Sequence, residues 1–270
     1  MRFQTEHLFD DPETYLNVYL HDRLSGVRAD PRPAMLIFPG GGYWGCCHRE
    51  GEPIALYFLQ AGFNVFVLYY SVGPKATEYK PIIQAALTVK HIRENAGRYH
   101  IRPDQVFVTG FSAGGHLAAT TGTLFDAPPV KKALEGAPDG ISIPDGMILS
   151  YAVLCGTKWA HKGSIDALLG DPDAPDSLRE QFALDKHVSD RTPPTFLWHT
   201  STDDCVPVMN SLLFAEQLYQ HHVPFAMRIY PVGPHGLATG DRETNDGVSE
   251  CREWMEQAAK WALDICTGKN

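Results

Sequence analysis

Short, uninterrupted apolar runs alternate with segments of helical period along most of the chain, and this alternation restricts the fold more than any other feature. Residues 34–38 read Ala-Met-Leu-Ile-Phe and residues 63–70 read Phe-Asn-Val-Phe-Val-Leu-Tyr-Tyr. Further runs lie at 106–109, 147–153, 195–200 and 226–230. Between them, residues 50–61 carry Ile54, Leu56, Tyr57 and Leu59 without a breaker. Residues 81–99 open on Pro81, a favourable first helical position, and place Ile82, Ala86, Val89 and Ala96 at helical spacing. Helices are also expected over 113–123, over 208–221, and where Val248, Cys251, Met255, Ala258, Ala262 and Ile265 recur. Continuous apolar strands separated by amphipathic helices predict an α/β fold: a mostly parallel, doubly wound sheet with helices on both faces. Residues 14–22 alternate in polarity instead, the period of a half-buried strand near a sheet edge.

Two stretches break the alternation. Residues 125–144 are rich in Pro, Gly and Ala, and residues 155–194 form a longer segment with a helical piece of its own. Both read as lid-like insertions in a single domain spanning 1–270, and substrate contacts are expected there.

At Gly110-Phe111-Ser112-Ala113-Gly114 the chain matches G-x-S-x-G. The motif alone is weak, but here an apolar strand ends at Thr109 and a helix of small residues begins at once. That strand–turn–helix elbow holds a serine at the top of a sheet, with a helix N-terminus directed at developing negative charge. A serine hydroxyl needs a base. In this fold the acid and then the histidine follow the serine along the chain. Asp203 and Asp204 follow the run at 195–200, and His235 follows the run at 226–230. All three lie in loops at the C-terminal ends of strands, where doubly wound sheets gather ligands. Upstream, Pro39-Gly40-Gly41-Gly42-Tyr43-Trp44 follows another strand. Consecutive glycines bring backbone N–H groups against a reacting carbonyl, opposite the N–H of Ala113. A phosphate-binding loop is excluded because no G-K-S or G-K-T follows. The other histidines have bland readings: His48 follows the glycine loop, where substrate contact is the minor alternative, and His116 and His199 read as packed or hydrogen-bonded.

The formal charge of −9 disfavours nucleic acid and anionic lipid as partners. No run approaches the length of a membrane span and no leader pattern opens the chain, so a cytoplasmic location is expected. The six cysteines include no C-x-x-C pair, and Cys47, His48 and Glu50 match no usual zinc spacing, so no metal is expected. The oligomeric state is not legible, and a homo-oligomer stays open.

Phe-Pro-Gly-Gly-Gly-Tyr at 38–43, Gly-Phe-Ser-Ala-Gly-Gly-His-Leu at 110–117, Thr-Pro-Pro-Thr-Phe-Leu-Trp-His-Thr at 192–200, Asp-Asp-Cys-Val-Pro-Val at 203–208 and Pro-His-Gly-Leu at 234–237 together resemble the α/β-hydrolase superfamily. Within it, the chain is similar to small bacterial esterases and acetyl-xylan esterase-like enzymes related to hormone-sensitive lipase. The resemblance implies an α/β-hydrolase fold with Ser112 as nucleophile and His235 as base. Asp203 is the implied acid, because the family's acid precedes Val-Pro by two intervening residues; Asp204 is the fallback. Gly41, Gly42 and Ala113 are the implied oxyanion donors, although related loops often begin with His where this one has Pro39. The implied reaction is cofactor-free ester hydrolysis through an acyl-enzyme. The implied substrate is a small ester such as an acetylated sugar or xylo-oligosaccharide, with Tyr43, Trp44, Tyr70 and Trp159 offering flat faces to it. A general short-chain carboxylesterase, an arylformamidase or a peptidase-type amide hydrolase shares the same constellation, and a binding protein on this fold remains the non-enzyme alternative.

Overall fold

The computed structural model describes residues 1–24, 26, 30–245 and 249–268; Val248 lies outside them. Its strands are β1 (Arg2–Glu6), β2 (Tyr15–Leu20), β3 (Arg32–Phe38), β4 (Asn64–Tyr69), β5 (Ile101–Phe111), β6 (Gly146–Ser150), β7 (Thr195–Thr200) and β8 (Phe225–Tyr230). They form one eight-stranded sheet in the order β1-β2-β4-β3-β5-β6-β7-β8. β1 pairs antiparallel to β2 and β2 antiparallel to β4, while every other pairing is parallel. The helices are α1 (Glu52–Gln60), α2 (Lys80–Glu94), α3 (Ala96–Tyr99), α4 (Ala113–Thr123), α5 (Pro128–Ala133), α6 (Lys162–Leu169), α7 (Asp176–Arg179), α8 (Met209–Gln220) and α9 (Trp254–Cys266). This is the α/β-hydrolase fold.

The continuous apolar runs are explained by burial on both faces. Leu36, Phe38, Phe66, Leu68, Val106 and Val108 pack in one core with residues of α2, α4 and α8. Their neighbours Met35, Ile37, Val65, Val67 and Phe107 pack in a second core with α1 and α9. Successive side chains of a strand point to opposite faces, so each run supplies both cores. Each fully buried large side chain contributes roughly 1.5–3 kcal/mol relative to exposure.

Three sequence expectations change. β1 was not foreseen: its residues are almost all exposed, and it is held to the sheet edge by pairing with β2. The segment 81–99 is two helices, because α2 ends at Glu94 and Asn95 separates it from α3. The two insertions lie at opposite ends of the sheet. The segment 125–144 is fastened where β5 and β6 begin, since the Arg93 guanidinium donates to the carbonyls of Pro103, Gly140 and Ile141 and pairs with Asp145 at 2.8 Å. It does not lie over the end of β5 that carries Ser112. The segment 155–194 follows β6 on that side, as the Val153 N–H donating to Ser112 O at 3.1 Å shows.

Candidate active site

β5 runs straight into α4, and Ser112 at the junction takes φ 54° and ψ −120°. Such backbone angles are strained for a residue with a side chain and persist only where the surroundings enforce them. Here they do. The Ser112 N–H donates to Ser150 O at 3.0 Å, and Ser112 O accepts from the N–H groups of His116 and Val153. Gly114 permits the elbow to press against the glycine loop, because a Cβ there would overlap the carbonyl oxygens of Phe38 and Pro39.

The Ser112 hydroxyl lies 2.9 Å from His235 Nε2, and His235 Nδ1 lies 2.8 Å from Asp203 Oδ2. A carboxylate accepts, so Nδ1 carries the proton and Nε2 is left to accept from the serine. Asp203 Oδ1 accepts the N–H groups of Cys205 and Val206 at 2.9 and 2.8 Å. His199 approaches Oδ2 at 3.2 Å through Nε2, which also donates to Val206 O. Burial alone raises the Asp203 carboxyl, but the hydrogen bonds from His199, His235 and Cys205 outweigh it and hold the group well below the usual carboxylate range. Asp203 is therefore ionised and fixed. Asp204 points elsewhere: its Oδ1 accepts the His235 backbone N–H at 3.3 Å. The loops after β7 and β8 are also stitched together, with Gly233 O accepting from the Thr200 and Thr202 hydroxyls.

In the glycine loop the first N–H is already committed, since Gly40 donates to the buried Glu50 Oε2 at 2.8 Å. The N–H groups of Gly41, Gly42 and Ala113 meet no acceptor among the described residues. Gly41 has φ 128°, a conformation that only glycine adopts without strain.

The four aromatic residues divide. Trp44 is 65% exposed and Trp159 is 41% exposed. Trp44 Cδ1 lies 3.4 Å from the position of a Cβ on Gly42, and Ser164 of α6 lies 3.8 Å from it, so the rim of the loop meets the 155–194 segment there. Tyr43 and Tyr70 are buried and present no face to a ligand, which corrects the expectation for both. They brace the loop instead. Tyr70 donates to Pro39 O at 2.6 Å. Tyr43 donates to His116 Nδ1 at 2.8 Å, because His116 Nε2–H is engaged with Phe182 O. Burial pushes His116 down to about 4, so its imidazole is neutral at pH 7. His48 is exposed and contacts the Tyr69 hydroxyl, while Glu50 turns inward. Among the described residues no three His, Cys, Asp or Glu side chains are grouped to hold a metal, and no helix is long and apolar enough to cross a membrane.

Sequence reasoning missed Glu50, Tyr151 and the Asp204 contact. Glu50 has no sequence signal beyond its place after the glycine loop, and Tyr151 follows β6 with the unusual φ of 36°.

The model of the BD-FAE family matches residues 18–218. Over 91% of its length the chain is 38% identical to endo-1,4-beta-xylanase B of Butyrivibrio fibrisolvens, and the match covers 38% of that protein. The acetylxylan esterase of Xylanibacter ruminicola is 27% identical over 87% of this chain and 46% of its own length. The chain thus spans less than half the length of these curated relatives. Among solved structures, the acetyl ester-xyloside bifunctional hydrolase from Caldicellulosiruptor lactoaceticus superimposes with a TM-score of 0.81 at 37% identity, covering 97% of this chain and 92% of that one.

Proposed function

The chain belongs to the BD-FAE family of α/β-hydrolases, and from that membership and the geometry at Ser112 we propose that it is a serine carboxylic-ester hydrolase that removes acetyl groups from acetylated sugars. The observation that carries the reading is the continuous hydrogen-bonded line from the Ser112 hydroxyl through His235 to Asp203, at 2.9 and 2.8 Å.

In this mechanism His235 Nε2 takes the hydroxyl proton as Ser112 Oγ attacks the ester carbonyl carbon. Asp203 holds the imidazole tautomer and stabilises the imidazolium that forms. The N–H groups of Gly41, Gly42 and Ala113 receive the oxyanion, which develops only as the carbonyl becomes tetrahedral. Removing one such donor typically costs on the order of 10²–10³ in rate. Collapse breaks the bond to the alcohol, which leaves with the proton from His235 Nε2. Water then attacks the acetyl-enzyme with His235 again as base, releasing acetate and restoring the serine. The residues need no metal or organic cofactor for these steps.

The sugar part of the reading is supported by the three relatives, all of which carry xylan or xyloside in their names, by the exposed ring of Trp44 on the glycine loop, and by the exposed ring of Trp159 in the 155–194 segment. An acetylated xylo-oligosaccharide is the substrate we assign. The test compares wild type with Ser112→Ala on acetylated xylo-oligosaccharides, p-nitrophenyl acetate and p-nitrophenyl octanoate. Acetate release from the sugar that falls roughly 10⁶-fold in the variant, with an unchanged melting temperature, is the expected result. Cleavage of both synthetic esters with no release from the sugar replaces it with a general carboxylesterase. Turnover retained by Ser112→Ala rejects the serine mechanism.

A further inference from the structure

Beneath Ser112 a buried carboxylate joins two loops that the proposed mechanism uses separately. Glu50 is 3% exposed. Its Oε2 accepts the Gly40 N–H at 2.8 Å, and its Oε1 accepts the Tyr151 hydroxyl at 2.7 Å. The Tyr151 oxygen in turn accepts the N–H of Ala238, three residues beyond His235, at 3.0 Å. The Tyr151 ring stands edge-on to the His235 imidazole with centroids 5.0 Å apart. The Tyr151 N–H is anchored to Trp198 O at 2.9 Å, so the phenol projects from a fixed point at the end of β6. Gly40 is itself against the nucleophile, since a Cβ there would lie 3.1 Å from Ser112 Cβ.

A carboxylate is an expensive way to satisfy one backbone N–H and one phenol in the interior; a neutral group or apolar packing costs less. Its place between the glycine loop and the histidine loop accounts for it. We propose that Glu50 and Tyr151 are positioning residues of the hydrolytic site: together they tie the backbone beside Gly41 and Gly42 to the backbone after His235, and so fix the oxyanion donors relative to the base. The inference rests on the hydrolase reading above. Reacting groups displaced by about 1 Å lose roughly a hundredfold in rate, so a strut of this kind acts on kcat without touching substrate. The charge acts as well. The ionisable groups around His235 are Asp203 at Nδ1, Asp204 at its backbone N–H, Tyr151 and Glu50 beneath it, Arg49 against Gly236, and His161 from the 155–194 segment. Glu50 and His235 also interact through their charges, which favours the imidazolium formed during attack.

The experiment uses wild type, Glu50→Gln, Tyr151→Phe, the double variant and the surface control Glu52→Gln, with p-nitrophenyl acetate as substrate and a fluorophosphonate as a covalent probe of Ser112. Folding is checked by circular dichroism. Glu50→Gln is expected to lower kcat about tenfold to a hundredfold with KM nearly unchanged. It also moves the ascending limb of kcat/KM to lower pH, because a negative charge near the imidazolium formed during attack is lost. Tyr151→Phe keeps the charge, so its limb stays and kcat falls about tenfold. The double variant falls no further than the worse single one, as members of one strut should. Glu52→Gln matches wild type. A folded Glu50→Gln with kcat within about twofold of wild type, a limb that does not move, or fully multiplicative losses overturns the proposal. If Glu50→Gln does not fold, unchanged kcat in Tyr151→Phe overturns it. Wild-type Ser112 that does not react with the fluorophosphonate rejects the hydrolase reading and the strut with it; labelling at the same rate in wild type and Glu50→Gln rejects the strut alone.

Discussion

The floor and the rim of the site both use aromatic residues, but in opposite ways. On the floor, Tyr43, Tyr70, Tyr151, His116 and Glu50 are buried, and each polar atom is spent on a partner. On the rim, Trp44 lies open beside Gly42, and in the 155–194 segment Trp159 is also exposed, with the Lys158 ammonium above its ring. Aromatic residues on the floor hold backbone in place, and those on the rim have surface left to meet a ligand. The difference assigns the rate of the proposed reaction to the floor and the choice of alcohol to the rim.

The adjacent aspartates give the sharpest way to break this division. Asp203→Asn removes the fixed acceptor of His235 Nδ1–H and is expected to lower kcat about 10⁴-fold. Asp204→Asn loses one long backbone contact and should stay within about tenfold of wild type. Steady-state kinetics on p-nitrophenyl acetate gives both values, and the reverse ranking moves the acid by one residue.

A smaller effect separates bracing from binding. Tyr43→Phe leaves His116 Nδ1 without its donor in a buried site and should cost about 1–3 kcal/mol of stability in a denaturant titration. KM for the sugar ester should not change. Trp44→Ala and Trp159→Ala should do the opposite, raising KM for acetylated xylo-oligosaccharide about fivefold each, on the order of 1 kcal/mol. Melting temperature and turnover of p-nitrophenyl acetate should hold. A KM effect from Tyr43→Phe, or none from either tryptophan, erases the distinction.

The smallest effects are slopes of stability against pH, and here two buried carboxylates oppose each other. The Asp203 carboxyl is held below its usual 3.8, so between its folded and unfolded values the unfolded chain binds more protons. Its contribution is complete above pH 3.8 and is lost as pH falls through the folded value. Burial raises the Glu50 carboxyl above 4.5, so there the folded chain binds the extra proton and stability falls as pH rises through that window. Melting curves from pH 3 to 7 should therefore lose part of their acid-side rise in Asp203→Asn and part of their decline above pH 4.5 in Glu50→Gln.

How much of this was legible in the sequence follows from the same floor and rim. The runs that became β3, β4, β5 and β7 were readable because burial on both faces demands unbroken apolar sequence. The elbow was readable because strand, G-x-S-x-G and small-residue helix coincide. β1 was not, since an exposed edge strand reading Arg-Phe-Gln-Thr-Glu carries no apolar pattern and depends on pairing with β2. Tyr43 and Tyr70 read from sequence as flat faces for a sugar; only the packing of their rings in the core shared with α4 shows that they face inward. Glu50 was invisible for the converse reason, as a charged residue before a helix normally faces water and nothing local signals its turn toward Gly40. The 125–144 segment reads as an insertion in either location, and the Arg93 contacts that place it far from Ser112 are long-range.

Mass spectrometry of protein quenched during turnover of p-nitrophenyl acetate tests the serine mechanism most directly. One acetyl group on the peptide containing Ser112, absent in Ser112→Ala and lost on further incubation of the wild type, is the predicted result. Turnover with no acetylated peptide, or with the acetyl group on any other residue, contradicts it.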